Sequence, residues 1–214
     1  ILHFSVEVAD GRGMSQKNLV AIAATQGSDG LPRAIADVEK QLAGRTPVLV
    51  CAFAGVQYAL SEVQQTLESS WPDAQVMTSS SAGEFTQEAD ATGSLVVWAL
   101  AGDFVAHTGF ATGLGSDPHQ AVSDAIASFP PHVAGHPHRM GIMLLDPLSG
   151  RGEEATLLAA TLLDGGDPMR PARLVGGAAG DELAMTRTVV GAAGQAASDA
   201  IAIAMLYSAR PLGI

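Results

Sequence analysis

The sequence contains a single cysteine, which limits the covalent and metal chemistry open to the protein. Cys51 cannot form a disulfide within the chain, and a zinc site built on thiolates needs more than one cysteine. It lies in the apolar run Val48-Leu49-Val50-Cys51-Ala52-Phe53, which favours a small buried hydrophobic side chain over a reactive thiol.

Basic residues are also scarce. The chain has 11 Lys and Arg against 22 Asp and Glu, which gives a formal net charge of −11. No cluster of Lys and Arg interrupts this negative field, which repels phosphate backbones and anionic lipid head groups. We therefore expect neither nucleic-acid binding nor binding to a membrane surface.

Long apolar runs are missing as well. No segment approaches the roughly 20 apolar residues that a membrane-spanning helix needs. The first residues, Ile1 to Phe4, carry no basic group, and Glu7 and Asp10 follow too soon for a secretory signal peptide. Because the chain begins without methionine, we expect a processed or partial protein, and we expect it in the reducing cytoplasm.

The residues that are abundant favour a folded α/β domain. Hydrophobic residues make up 47% of the 214 residues and aromatic residues only 5%, so the core is expected to consist of Ala, Val, Leu and Ile. Disordered chains have the opposite balance of charge and hydrophobicity. No linker divides the sequence, and we predict a single domain over residues 1–214.

Hydrophobic periodicity alternates between the patterns of strands and helices. Predicted strands cover residues 2–8, 48–54, 75–78, 94–100, 104–112, 141–145, 174–175, 186–190 and 199–207. Predicted helices cover 31–42, 56–67, 117–129 and 153–163, whereas the stretch from Asp10 to Asp29 has no clear pattern. The turn at residues 101–103 predicts a β-hairpin between the strands on either side of it. The last two predicted strands, at 186–190 and 199–207, are expected to pair with each other. A surface loop is expected at residues 130–138. The fold class is α/β, with mixed β-sheets, flanking helices and inserted β-hairpins.

Three segments share one layout, in which a buried strand is followed by small residues and then by an acidic residue. They are Val76 to Glu84, Met143 to Glu154 and Leu174 to Asp181. Ligands collect where the strands of open α/β sheets end, and small residues let the backbone approach a ligand and offer N–H donors. We therefore predict that the three strand ends converge on one ligand-binding cleft.

The candidate ligand-binding residues come from these three segments. They are Ser80, Ser81, Gly83, Glu84, Asp146, Ser149, Gly150, Glu153, Gly176, Gly177 and Asp181. Each also has a purely structural interpretation. Glu153 and Glu154 suit the first turn of a helix, Asp146 suits a turn or N-cap, and Gly176 to Gly180 suits a packing turn.

Other chemistries receive less support from the sequence. His107 is the best candidate axial ligand for a haem, although a core histidine is the alternative. His132, His136 and His138 have no carboxylate or cysteine nearby to complete a metal site. Ser149 lacks the G-x-S-x-G elbow of a nucleophile. Asp146 and Asp181 could hold Mg²⁺ in a metal-dependent enzyme, which is the alternative, but no phosphate-binding motif accompanies them. We therefore expect no enzymatic activity.

The same three segments carry a resemblance to a known family. Thr78-Ser79-Ser80-Ser81-Ala82-Gly83-Glu84 resembles the FIST N-terminal signature, in which a Cys-Ser-Thr-Ala-Gly-Glu run is common. The stretch from Asp146 to Glu154 is similar to the family's Asp-Gly-Leu-Ser-Gly-Asn-Gly-Glu-Glu segment, and Val175 to Asp181 to its Val-Gly-Gly-Ala-Ala-Gly-Asp segment. Ser79 stands where the family often has cysteine, and Pro147 where it often has glycine. The resemblance extends from about Val48 to the end.

This resemblance implies a sensory domain of an intracellular signal-transduction protein, with a C-terminal FIST domain as its downstream partner. It implies a small ligand, usually an amino acid, while some members bind haem and sense nitric oxide. It supplies no catalytic residues. Because the three segments offer Gly, Ala, Ser and carboxylates rather than large apolar walls, we expect a small amine-bearing ligand, held by Glu84 or Asp181, in preference to haem.

Overall fold

The structure, a computed structural model, describes residues 19–85, 90–165 and 172–213. The predicted strand at residues 2–8 lies outside these ranges.

Strands and helices alternate along the described chain. The strands are β1 (Leu19–Gln26), β2 (Leu49–Ala54), β3 (Gln75–Ser80), β4 (Glu84–Phe85), β5 (Asp90–Ala91), β6 (Ser94–Ala101), β7 (Phe104–Thr112), β8 (His138–Leu145), β9 (Arg173–Ala178), β10 (Val190–Ala192), β11 (Gln195–Ala197) and β12 (Ala200–Ser208). The helices are α1 (Gly30–Leu42), α2 (Leu60–Ser70), α3 (Pro118–Ile126) and α4 (Gly152–Asp164), with a short 3-10 helix at Pro147–Ser149. None of these described helices is both long enough and apolar enough to cross a bilayer.

The elements form four layers. The first sheet has the strand order β1-β6-β2-β3-β10-β11, and the second has the order β7-β12-β8-β9. Helices α1 and α2 cover the outer face of the first sheet, α3 and α4 cover the outer face of the second, and the two inner faces pack against each other. Both sheets mix parallel and antiparallel neighbours. The predicted α/β class with mixed sheets is therefore confirmed.

Strand β12 illustrates how the sequence assigns its side chains to layers. Successive residues of a strand point to opposite faces. The odd-numbered residues from Ile201 to Tyr207 pack toward α3 and α4. On the opposite face, Ala200, Ala202 and Ala204 face the first sheet. Small side chains on the inner face let the two sheets approach closely.

Strand β2 has side chains buried on both faces, as its continuous apolar sequence predicts. Cys51 lies between the two sheets. Burial raises the pKa of its thiol to about 12, so the side chain acts as a small hydrophobic group there.

The predicted hairpin between residues 94–100 and 104–112 is wrong. Strand β6 lies in the first sheet between β1 and β2, whereas β7 lies in the second sheet beside β12. The turn between them carries the chain from one sheet to the other, with Gly102 at a φ of 144°. Glycine adopts such an angle without steric cost, so the same turn residues serve a corner as well as a hairpin.

Three further predictions at the level of single elements need correction. The expected final β pair does not form, because β12 pairs with β7 and β8 while β10 pairs with β3 and β11. Residues 19–26, within the stretch that has no clear pattern, form β1 at the edge of the first sheet. Helix α2 begins at Leu60, and Val56 lies before it with an exposed side chain.

Candidate functional site

The ends of β3, β8 and β9 meet at one end of the molecule. Because β8 and β9 are parallel neighbours, their carboxyl ends lie side by side, and the Ala179 N–H donates to the Leu145 carbonyl at 2.9 Å. The next residue crosses to the first sheet, where the Gly180 N–H donates to the Ser80 carbonyl at 2.9 Å. The structure thus brings together the three segments that share the strand, small-residue and acidic layout.

The small residues of the first and third segments allow this contact. A Cβ atom at Gly180 would lie 2.6 Å from the Ala82 nitrogen, closer than real Cβ contacts come. The chain that follows Asp181 then returns past β3 and contacts Ser80 through Val189. The Ser80 N–H donates to the Val189 carbonyl (2.9 Å), and the Ser80 Oγ accepts from the Val189 N–H (3.0 Å). The glycine-rich stretch therefore has a packing role at Gly180.

Asp146 ties the second segment to the same returning chain. Its buried carboxylate accepts from the Leu148 N–H on Oδ1 (2.8 Å), from the Thr188 hydroxyl on Oδ1, and from the Asp199 N–H on Oδ2 (2.6 Å). One side chain thus caps the 3-10 helix and holds two distant stretches of chain beside it. The alternative interpretation of Asp146 as an N-cap matches this geometry.

Asp181 has its hydrogen-bonding capacity filled by its own loop. It accepts from the backbone N–H groups of Arg187 (2.9 Å), Thr186 (2.6 Å) and Met185 (2.9 Å), and from the Thr186 hydroxyl (3.3 Å). These donors favour the ionised form, with the Arg187 N–H contributing most, and lower the pKa of Asp181 to about 2. The loop includes three non-glycine residues with positive φ, namely Glu182, Leu183 and Met185. The carboxylate therefore stabilises a loop conformation that L-residues rarely adopt.

Glu84 clamps the first segment onto the start of β6. Its Oε2 accepts from the Ser94 N–H (2.9 Å) and the Ser94 hydroxyl (2.6 Å). The side chain is buried, and its Oε1 has no hydrogen-bond partner within the described part of the chain. Unlike Asp146 and Asp181, Glu84 thus has a carboxylate oxygen with no donor among the described residues.

The remaining candidate residues fall into local roles. Ser81 Oγ donates to the Gly83 carbonyl at 3.0 Å, and Ser149 Oγ donates to the Asp146 carbonyl at 2.8 Å. Gly150 has a φ of 72° at the end of the 3-10 helix, and Glu153 is exposed in the first turn of α4, where the helix dipole favours an acid.

A pocket of about 270 Å³ opens beside Asp146. It is lined by the hydroxyl residues Ser149, Thr186, Thr188 and Ser198, by Asp146 and Asp199, by Arg187 and by Leu148. Among the described lining residues, the sequence pattern singled out Asp146 and Ser149, and Leu148 lies between them in the same segment. The other lining residues come from the chain that follows Asp181 and from the turn before β12, which carry no motif of their own and approach the pocket through tertiary contacts.

The histidines lie elsewhere. His107 is on β7 and packs edge-on against the Tyr207 ring, with centroids 5.9 Å apart. In the surface loop at residues 130–138, Nε2 of His136 lies 2.9 Å from Oδ1 of Asp103, which belongs to the turn before β7. Across residues 19–85, 90–165 and 172–213, no group of three or more His, Cys, Asp and Glu side chains is arranged to hold a metal ion.

Comparison with protein families shows which family the chain belongs to. The model of the FIST N domain matches residues 48–214, which is most of the chain and includes all three segments. The chain belongs to the FIST N domain family. FIST domains are sensory domains that bind small ligands in signal transduction. No curated protein matches the sequence.

Gly176 and Gly177, the adjacent glycines of the third segment, differ in what a Cβ atom would contact. Substituting each in turn tests whether β8 and β9 need a glycine to pack together. A Cβ at Gly176 would lie 1.9 Å from the Met143 carbonyl oxygen, whereas a Cβ at Gly177 meets nothing within 4 Å. Gly176→Ala is expected to lower the free energy of unfolding by about 1–3 kcal/mol, because β8 and β9 must separate. Gly177→Ala should change it by less than about 0.5 kcal/mol. Urea denaturation of both variants measures this, and equal stabilities would contradict the packing role of Gly176.

The hydrogen bonds to Asp181 predict a pH dependence of stability. The folded-state pKa of about 2 lies below the ordinary value of 3.8, so ionised Asp181 contributes stability that is fully present above the unfolded pKa. That contribution is lost as the pH falls from about 4 through about 2. Asp181→Asn should therefore be less stable than the wild type at neutral pH, with the difference shrinking in acid. Denaturation series at several pH values test this, and a difference that stays constant down to about pH 2 would count against it.

Proposed function

We propose that this FIST domain senses a small zwitterionic metabolite, an amino acid or a close relative, that binds in the pocket beside Asp146. The sensor would belong to a signal-transduction protein of the cytoplasm, with a C-terminal FIST domain following it. The observation that carries the proposal is the composition of the pocket lining, in which one guanidinium and one available carboxylate stand among four hydroxyl side chains.

Arg187 suits the carboxylate of such a ligand. A guanidinium binds a carboxylate through two parallel hydrogen bonds, which fixes orientation as well as charge. The ion pairs between described residues are Arg33–Asp29, His136–Asp103 and Arg151–Glu154, so the Arg187 side chain has no acidic partner among them. Its backbone is held by Asp181, which positions the side chain at the pocket.

Asp199 suits the ammonium group. Its Oδ1 accepts from the Gly115 N–H at 2.6 Å, and its own N–H donates to Asp146, so both its side chain and its backbone are held in place. The amine-binding role that the sequence suggested for Asp181 is assigned here to Asp199, because the oxygens of Asp181 are occupied by its own loop. The suggested role of Glu84 stays a prediction, supported by its unpartnered Oε1.

The four hydroxyl groups of the lining offer hydrogen bonds to a ligand and no activated nucleophile. Ser149 donates to the Asp146 carbonyl and Ser198 donates to the Thr188 carbonyl at 2.7 Å, so each oxygen keeps acceptor capacity for a ligand N–H. A serine nucleophile needs an adjacent base, and the described residues that line this pocket include no histidine. We therefore propose binding without catalysis.

Calorimetric titration of the purified protein with the common L-amino acids tests this function. A ligand present at a hundred times its Kd should also stabilise the fold by about 2.7 kcal/mol. Arg187→Gln should weaken binding at least about tenfold, because hydrogen bonds to charged groups contribute about 1.5–3 kcal/mol. Arg173→Gln is the matched control, since Arg173 is exposed on β9 and does not line the pocket.

The competing ligand is haem. It would be titrated in parallel and followed by its Soret absorbance, with His107→Ala as the diagnostic variant. Tight haem binding that is lost in His107→Ala, together with no response to any amino acid, would overturn the proposal in favour of a haem-based sensor.

A further inference from the structure

Among the described residues that line the pocket, Leu148 is the one with an apolar side chain. It lies in the 3-10 helix after Asp146 and is 38% exposed, although leucine is among the residues most often buried. All the other lining side chains carry a hydroxyl, a carboxylate or a guanidinium. Leu148 therefore offers a ligand a side chain that is apolar throughout.

Asp146 fixes the location of this position relative to the charged groups. Its Oδ1 accepts from the Leu148 N–H and its Oδ2 from the Asp199 N–H, so the two oxygens of one buried carboxylate set the spacing between the two backbones. The residue proposed to bind the ammonium group and the apolar residue of the lining are thus both held by Asp146. Selectivity among ligands depends on such preorganised positions.

The neighbouring loop provides a second exposed apolar side chain. Met185 directly precedes Thr186 of the pocket lining, has a φ of 55° and is 70% exposed. The hydrogen bond from its N–H to Asp181 holds it in this conformation. Methionine adapts to irregular apolar ligands because it is unbranched and flexible.

We propose that Leu148 selects ligands with an aliphatic side chain, so that the domain senses aliphatic α-amino acids rather than amino acids in general. This inference rests on the proposed function and narrows its ligand class. The pocket of about 270 Å³ offers room for a small ligand such as an amino acid. The hydrophobic gain scales with the apolar area that Leu148 and the ligand remove from water, so leucine binds more tightly than glycine.

The experiment compares L-leucine and glycine by calorimetric titration against the wild type, Leu148→Ser and Leu157→Ser. Leu157 is the matched control, because it is a leucine that is 63% exposed on α4 and does not line the pocket. In the wild type and in Leu157→Ser, leucine should bind at least about tenfold more tightly than glycine, which corresponds to about 1.4 kcal/mol. In Leu148→Ser the affinity for leucine should fall to that for glycine, while the affinity for glycine stays unchanged.

The outcomes separate this inference from the proposed function. Equal affinities for leucine and glycine in the wild type, or a Leu148→Ser variant that keeps the preference for leucine, overturn the role of Leu148 and leave amino-acid sensing intact. If Leu148→Ser unfolds at the wild-type temperature but binds neither leucine nor glycine, the selective role of Leu148 is also overturned. The substitution would then act on the charged groups that bind every amino acid. Absence of binding by any amino acid overturns the proposed function and this inference together.

Discussion

The buried carboxylate of Asp146 is the interaction on which the functional end of this FIST domain depends. Removing an ionised carboxylate from water is costly unless donors compensate for the lost hydration. Leu148, Thr188 and Asp199 supply those donors from three places in the chain. Because each donor belongs to a different wall of the pocket, satisfying one buried charge also assembles the pocket.

Close approach of backbones is the second constraint. The strand ends meet because Gly180 packs against Ala82 and Gly176 packs against Met143, at distances that leave no room for a Cβ atom. Between the two sheets, the alanines of β12 pack with larger side chains such as Trp98 and Met140.

The sequence predicts local structure well and pairing poorly. Helices α1, α3 and α4 and strand β2 follow from periodicity, because each packs a recognisable face or run against its neighbours. The partner of β6 could not be predicted, since all eight of its residues are buried and its turn suits a corner as well as a hairpin. Strand β1 was missed because its inward positions include Ala21, Ala23 and Thr25, which give little contrast with its exposed positions.

The candidate site divides in the same way. The acidic residues that follow the strands could be recognised, because they recur after similar runs of small residues. Their structural partners could not, because Thr188 and Asp199 reach Asp146 from residues 42 and 53 positions away. Arg187 carries no local pattern at all, and only the fold of its loop around Asp181 brings it to the pocket.

Hydrogen–deuterium exchange of Asp146→Ala tests most directly whether one carboxylate holds the pocket together, because alanine removes both acceptor oxygens. Asp73→Ala, at an exposed position, is the control for the same change in charge. The amide groups of Leu148 and Asp199 should both exchange at least about tenfold faster in Asp146→Ala, because losing the partner of a buried donor costs about 1–3 kcal/mol. Strands β2 and β6 should be unaffected. Faster exchange at Leu148 alone, or at neither amide, would contradict the role assigned to Asp146.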